Sequence, residues 1–201
     1  MEINDKTAAI LMASGFSRRF GSRNKLLVPF RGKPLAKYTL DLVLSLNFSG
    51  GIFFVVSSDD VAALAQDLPG VSVIKNNAPE KGLRESIRLG VEAAGNMDAA
   101  YYLFFHCDQP FLDAVTANSI FDKRGPGFIV EPRCRGMPGN PSLFSALFRD
   151  ELISLEAGET PRIIKARHPE AVKIAEISNP LVFQDIDDEE TMKRLEKEFS
   201  E

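Results

Sequence analysis

The chain is 201 residues long, 44% hydrophobic and 26% charged, with a formal net charge of −4. That size and balance fit one globular domain with a single sizeable core, and they exclude a disordered chain or a protein whose overall basic field recruits nucleic acid. Two cysteines, Cys107 and Cys134, are too few for a disulfide framework and lack metal-ligand spacing.

The first element is an apolar run, Ala8–Ala13, continuous as in a strand buried on both faces. It stops at Ser14-Gly15. A polar loop follows in which Arg18, Arg19, Arg23 and Lys25 fall within eight residues. Bare backbone N–H groups and cationic side chains at the end of a strand suit phosphate. The loop has neither the lysine that directly follows the second glycine of a Walker A motif nor the G-x-G-x-x-G of a dinucleotide fold. A nucleoside triphosphate is the expected ligand.

Beyond the loop, Pro34 opens a helix over Leu35–Leu46, followed by a buried strand at Ile52–Ser57 (I-F-F-V-V-S). Helix Val61–Leu68, a weaker strand at Val71–Ile74, helix Leu83–Ala94 with Gly95 as its stop, and strand Tyr101–Phe105 complete the first half. Strands and helices alternating this way imply an α/β fold, a doubly wound and mostly parallel sheet with helices on both faces. Ligands of such sheets bind at the carboxyl ends of the strands, so the loops after Ala13 and Phe105 are expected to share one crevice.

The second half is less regular. Gly125–Pro141 is dense in glycine and proline, with strand character over Gly127–Glu131. Leu143–Leu155 reads as a helix, Ala171–Ile177 as a short strand, and Glu189–Phe199 as a terminal helix after the acidic turn D-I-D-D-E-E. Neither a linker nor a repeat divides residues 1–201, so one domain is expected. The amino terminus shows no signal-peptide architecture and no apolar run approaches ~18 residues, which leads to an expectation of a cytoplasmic protein without a membrane partner.

Three groups of residues carry chemistry. Asp108, in H-C-D-Q-P, follows a buried strand, where a carboxylate can hold Mg²⁺ over a triphosphate; Mg²⁺ favours one or two carboxylates completed by phosphate and water oxygens. His106 and Cys107 beside it are read as structural. Gly82 permits close backbone approach to a flat base, and Ser86, one turn into the next helix, offers a hydroxyl that donates and accepts. Asp187 is expected to cap the terminal helix.

The opening loop, with Met12, Ala13, Gly15, Ser17, Arg19, Phe20, Gly21 and Lys25, resembles the L-A-A-G-x-S-x-R-[MF]-G-x-x-K signature of the MobA-like NTP transferases. Ser14 replaces a small residue and one extra residue precedes Lys25. Asp108 falls on the family's D-x-P element. Asn77, Gly82 and Ser86 fall on its N-x-x-x-x-G-x-x-x-S element, and Asp185 on D-I-D. Gly139, Pro141, Leu143 and Phe144 match its R-G-H-P-V-L-F segment, with Asn140 in place of the histidine, and G-E-T-P-R ending at Arg162 shortens its G-D-x-G-x-R.

The resemblance implies a Rossmann-like nucleotidyltransferase with a nucleotide half to about residue 113 and an acceptor half from about 114. It assigns the nucleotide to Met12, Ala13, Ser14, Gly15, Ser17, Arg19, Lys25, Asn77, Gly82 and Ser86, with Arg19, Lys25 and Asp108 catalytic. Mg²⁺ falls to Asp108 and Asp185, and the acceptor to Gly139, Asn140, Pro141 and Arg162. Within the family the molybdopterin cytidylyltransferases are nearest, which implies CTP and a molybdopterin-type acceptor, with an apo molybdoenzyme as a further partner. GTP, another phosphorylated acceptor, a non-catalytic cofactor carrier and a redox enzyme on a similar sheet are the alternatives.

Overall fold

The computed structural model describes residues 6–15, 20–21 and 23–199. Strand β1 (Thr7–Ala13) is buried throughout and occupies the middle of the main sheet. A short hairpin, β2 (Pro29–Phe30) and β3 (Lys33–Pro34), leads into α1 (Leu35–Leu46). Then come β4 (Ile52–Val56), α2 (Asp59–Ala62), β5 (Val71–Lys75), α3 (Leu83–Gly95), β6 (Tyr101–His106) and α4 (Ala114–Phe121). The second half adds β7 (Ile129–Cys134), β8 (Met137–Pro138), β9 (Ser142–Ser145), α5 (Arg149–Ile153), α6 (Arg162–Arg167), β10 (Val172–Glu176) and α7 (Glu189–Glu198).

The sheet runs β10-β7-β9-β6-β1-β4-β5, with β8 paired to β7. β1, β4, β5 and β6 are mutually parallel, as the uniformly apolar runs require. β9 is antiparallel to both β6 and β7, and β10 returns parallel to β7. The sheet is therefore mostly parallel, the expected doubly wound class.

Side chains of β1 alternate between two cores. Ala9, Leu11 and Ala13 pack with Leu40 and Val43 of α1 and with Ile120 of α4. Ala8, Ile10 and Met12 pack with Ile87 and Val91 of α3 and with Leu152 of α5. Gly90 lets α3 approach closely, since a Cβ there would lie 2.4 Å from Ile10 Cγ2. A third cluster joins the two ends of the chain: Phe20, Phe30 and Leu35 pack against Ile186, Met192 and Leu195.

Several expected elements change. Leu143–Leu155 is not one helix but strand β9, a 3-10 turn and the short α5. Leu143 faces one core and Phe144 the other, a period of two that satisfies both faces. The expected helix Val61–Leu68 starts earlier, at Asp59 capped by Ser58, and tightens into a 3-10 turn over Ala63–Ala65. Helix α4 was not foreseen. Its cap is Asp113, whose side chain accepts from Thr116 N at 2.8 Å. The terminal helix is capped by Asp188, which accepts from Thr191 N at 2.7 Å; Asp187 faces the other way.

Candidate active site

The site forms where β1 and β6 end side by side, Met12 opposite His106 in parallel register. Thr39 of α1 donates to the His106 carbonyl at 3.2 Å and fixes the turn that follows. Asp108 stands in that turn. Its own carbonyl accepts from Ile186 N at 2.9 Å, which brings in the loop carrying Asp185 and Asp187.

Lys25 connects the parts. It lies in a 3-10 turn capped by Asn24, and its Nζ donates to Asp108 Oδ2 at 2.7 Å and to Asp187 Oδ1 at 2.8 Å. Burial alone would lower the ammonium's pKa, but the two carboxylates outweigh it and hold it above its ordinary value. Lys25 is thus a fixed cation at the strand ends. The two loops expected to share one crevice meet at the Lys25–Asp108 contact.

The donor set at Asp108 fits a hard divalent cation. Asp108 Oδ1 is buried without a hydrogen-bond partner among the described residues. Burial, and next the charge of Asp108, push the Asp185 carboxyl above its ordinary range, while Gln109 hydrogen-bonds it. Two carboxylates forced together with one oxygen unsatisfied are relieved by a cation between them, and two carboxylates match the modest protein share that Mg²⁺ uses. No cluster of three or more His, Cys, Asp or Glu ligands occurs among the described residues.

Beyond the end of β1, Ser14 and Ser86 share a hydrogen bond between their hydroxyls, and Asn76 Nδ2 donates to Ser86 Oγ at 3.0 Å. Asn76 is buried, whereas the motif residue Asn77 is exposed. Its neighbour Asn76 is the asparagine wired into the site. Gly82 has φ +77° at the start of α3 with open space beside it. Met12 faces the crevice side and Ala13 the opposite core. Gly15 is exposed. Ser17 and Arg19 lie outside the described residues.

Across β6 from this region is a cavity of about 220 Å³ lined by Met12, His106, Gly139, Asn140 and Arg162 among others. Met12 and His106 line this cavity and also stand side by side at the ends of β1 and β6, which places it next to the turn that carries Asp108. Gly139 cannot carry a side chain, because a Cβ would stand 2.5 Å from the ring of Phe183. Pro141 is buried beside Asn140 and adds no side chain to the lining. Glu131 and Lys165 also line the cavity. Sequence reasoning missed both, since Glu131 ends a segment marked only for strand character and Lys165 is a single charge in an unremarked one.

The MobA-like NTP transferase domain model matches residues 9–172. The chain belongs to that family. It is accordingly a nucleotidyltransferase of the MobA-like type. Two solved structures share the fold along nearly the whole length. A nucleotidyl transferase from Methanothermobacter is 22% identical with a TM-score of 0.82, covering 96% of this chain and 97% of that one. Rv0371c from Mycobacterium tuberculosis is 24% identical with a TM-score of 0.80, covering 95% and 97%. Rv0371c has also been solved in complex with manganese, a structure with a TM-score of 0.71 and 22% identity, covering 95% and 98%. A curated relative, nicotine blue oxidoreductase of Paenarthrobacter nicotinovorans, is 23% identical over 194 residues, 92% of this chain and 94% of its own length. Among the described residues no helix is long and apolar enough to cross a membrane.

Proposed function

We propose that this MobA-like protein transfers CMP from CTP to the phosphate of a molybdopterin-type acceptor, releasing pyrophosphate. The nearness of the Lys25–Asp108 pair to the Gly139–Arg162 cavity, which Met12 and His106 line from the same strand ends, supports the reading, because a transferase must hold donor and acceptor against one another. An acceptor phosphate oxygen attacks the α-phosphorus, and the bond to the bridging oxygen of pyrophosphate breaks. The acceptor is already ionised, so no general base is required. Lys25, with Arg19 from the same loop, binds the triphosphate and neutralises charge developing on the leaving pyrophosphate. Asp108 and Asp185 hold Mg²⁺, which as a Lewis acid polarises phosphate oxygens when bound. Ser14, Gly15, Ser17, Asn77, Gly82 and Ser86 form the nucleotide side; Gly139, Asn140, Pro141 and Arg162 form the acceptor side. Residues 1–113 and 114–201 divide the work accordingly within one domain. The nucleotide preference for CTP rests on Met12-Ala13-Ser14-Gly15, which is nearer the family's A-A-G variant than its G-G variant.

Measuring pyrophosphate release with each of four nucleoside triphosphates, Mg²⁺ and molybdopterin tests the proposal. Turnover is expected with CTP. Turnover with GTP alone would replace the cytidylyl reading by the guanylyl one, and binding of nucleotides without any turnover would leave a carrier. The relative named as an oxidoreductase favours a second reading, a redox activity on the same fold. The missing G-x-G-x-x-G weighs against it, and oxidation of a reduced nicotinamide by the purified protein with nicotine blue as the electron acceptor is the assay that decides.

A further inference from the structure

One wall of the cavity is a buried ion pair that neither the family motifs nor the transfer chemistry uses. Glu131 on β7 is 8% exposed and Lys165 on α6 is 13% exposed, with Lys165 Nζ 2.9 Å from Glu131 Oε1. Arg133 Nε donates to Glu131 Oε2 at 2.7 Å, and Lys165 Nζ donates to Ser142 Oγ at 2.9 Å. Each group retains capacity. A lysine has three N–H donors and two are used; each carboxylate oxygen has two lone pairs and one is used. Buried ion pairs contribute little to stability relative to apolar residues of the same volume, so one retained on a ligand cavity calls for another use.

Apolar side chains make up another part of the lining, Leu83 and Ile87 of α3, Phe104 of β6 and Phe144 of β9, while His106, Asn140, Thr160 and Arg162 add further polar groups. The cavity therefore offers a hydrogen-bond donor and an acceptor, side by side and 2.9 Å apart, among apolar and aromatic surfaces. The complement is a flat heterocycle presenting neighbouring C=O and N–H groups, the edge of a lactam. A terminal carboxylate would meet Glu131, and a terminal ammonium would meet Lys165 and Arg162.

We propose that Glu131 and Lys165 are specificity-determining residues that read the lactam edge of the acceptor's heterocycle, Lys165 donating to its carbonyl and Glu131 accepting from its N–H. The assignment rests on the reading of this cavity as the acceptor site, but not on the transfer reaction. Neither residue is among those assigned to the triphosphate.

The test is equilibrium binding of pterin and of 3-methylpterin to the full chain, followed by calorimetry without nucleotide or metal. The methyl group replaces the lactam N–H by a small apolar group at the same position, and the variants separate the lost hydrogen bond from the added bulk. The wild-type protein is expected to bind pterin at least about tenfold more tightly than 3-methylpterin, because a site built for a hydrogen bond rejects the analogue lacking it. Glu131→Gln and Lys165→Met are each expected to weaken pterin binding by a similar factor and to shrink the discrimination, with CTP affinity unchanged. A purely structural pair would leave the ratio between the two ligands intact, whatever the loss of thermal stability. Equal binding of the two ligands by the wild type, or no binding of pterin, would overturn the proposal even if pyrophosphate release proceeds. Should either variant fail to fold, the wild-type comparison alone decides.

Discussion

Lys25 is held between Asp108 and Asp187 by bonds of 2.7 and 2.8 Å, so its ammonium is oriented before any phosphate arrives. Preorganised charge of this kind is worth about 2–4 kcal/mol of transition-state stabilisation. Lys25→Ala and Asp108→Asn are each expected to lower kcat/KM for pyrophosphate release by roughly 10²–10³-fold, with unchanged far-ultraviolet circular dichroism. Because the carboxylates hold the Lys25 pKa above its ordinary value, its protonation adds no limb to the rate profile between about pH 6 and 9. The residues of this cluster were legible in the sequence because strand-end loops carry them: Lys25 in a basic glycine loop, Asp108 directly after a buried strand. Asp187 was misassigned as the helix cap by one position. Adjacent aspartates are equivalent in composition, and only backbone geometry gives the cap to Asp188. Glu131 and Lys165 were illegible for another reason: 34 residues separate them and each is isolated among ordinary neighbours.

At the level of elements, packing decides several outcomes that propensity leaves open. Gly90 lies inside α3, where alanine would favour the helix by about 1 kcal/mol. Yet a Cβ there would press on Ile10 Cγ2 at 2.4 Å in the central strand. Overpacking costs about 1–3 kcal/mol, so Gly90→Ala is expected to lower the denaturation midpoint rather than raise it. Gly139 presents the same argument nearer the site. Its missing Cβ makes room for Phe183, whose carbonyl accepts from Gln109 at 3.5 Å beside Asp108. Gly139→Ala is expected to weaken Mn²⁺ binding, read by titration calorimetry, because moving Phe183 disturbs the loop that carries Asp185. The parallel strands could be read from sequence since burial on both faces makes them continuously apolar. Strand β9 could not. Four residues with Leu143 and Phe144 on opposite faces present too short a period to separate from the start of a helix.

Across the whole molecule, buried charge sets the response to pH. Burial pushes the Glu131 carboxyl up, but hydrogen bonds from Lys165 and Arg133 outweigh it and hold the group below the usual glutamate range. A carboxyl whose folded pKa is depressed stabilises the fold above its unfolded value and loses that contribution as pH falls through the folded value. Stability is therefore expected to decline below about pH 4.5, and urea midpoints measured from pH 6 to pH 3 should show a shallower acid limb in Glu131→Gln. Lys165 adds a change of the same sign at alkaline pH, where stability rises as the group loses its proton. Desolvation leads there, and although Glu131 raises its pKa, the net position is below the ordinary lysine value.

The third hydrophobic cluster joins Phe20, Phe30 and Leu35 to Ile186, Met192 and Leu195. During synthesis the amino-terminal partners emerge more than 150 residues before those of the last helix. The central strand and its neighbours can find their places while the chain is still being made, but Lys25 gains Asp187, and the loop's apolar anchors gain their cover, only after α7 leaves the ribosome. A nascent chain is thus expected to possess most of its sheet before Lys25 is clamped, so that cluster is completed only once α7 has been made.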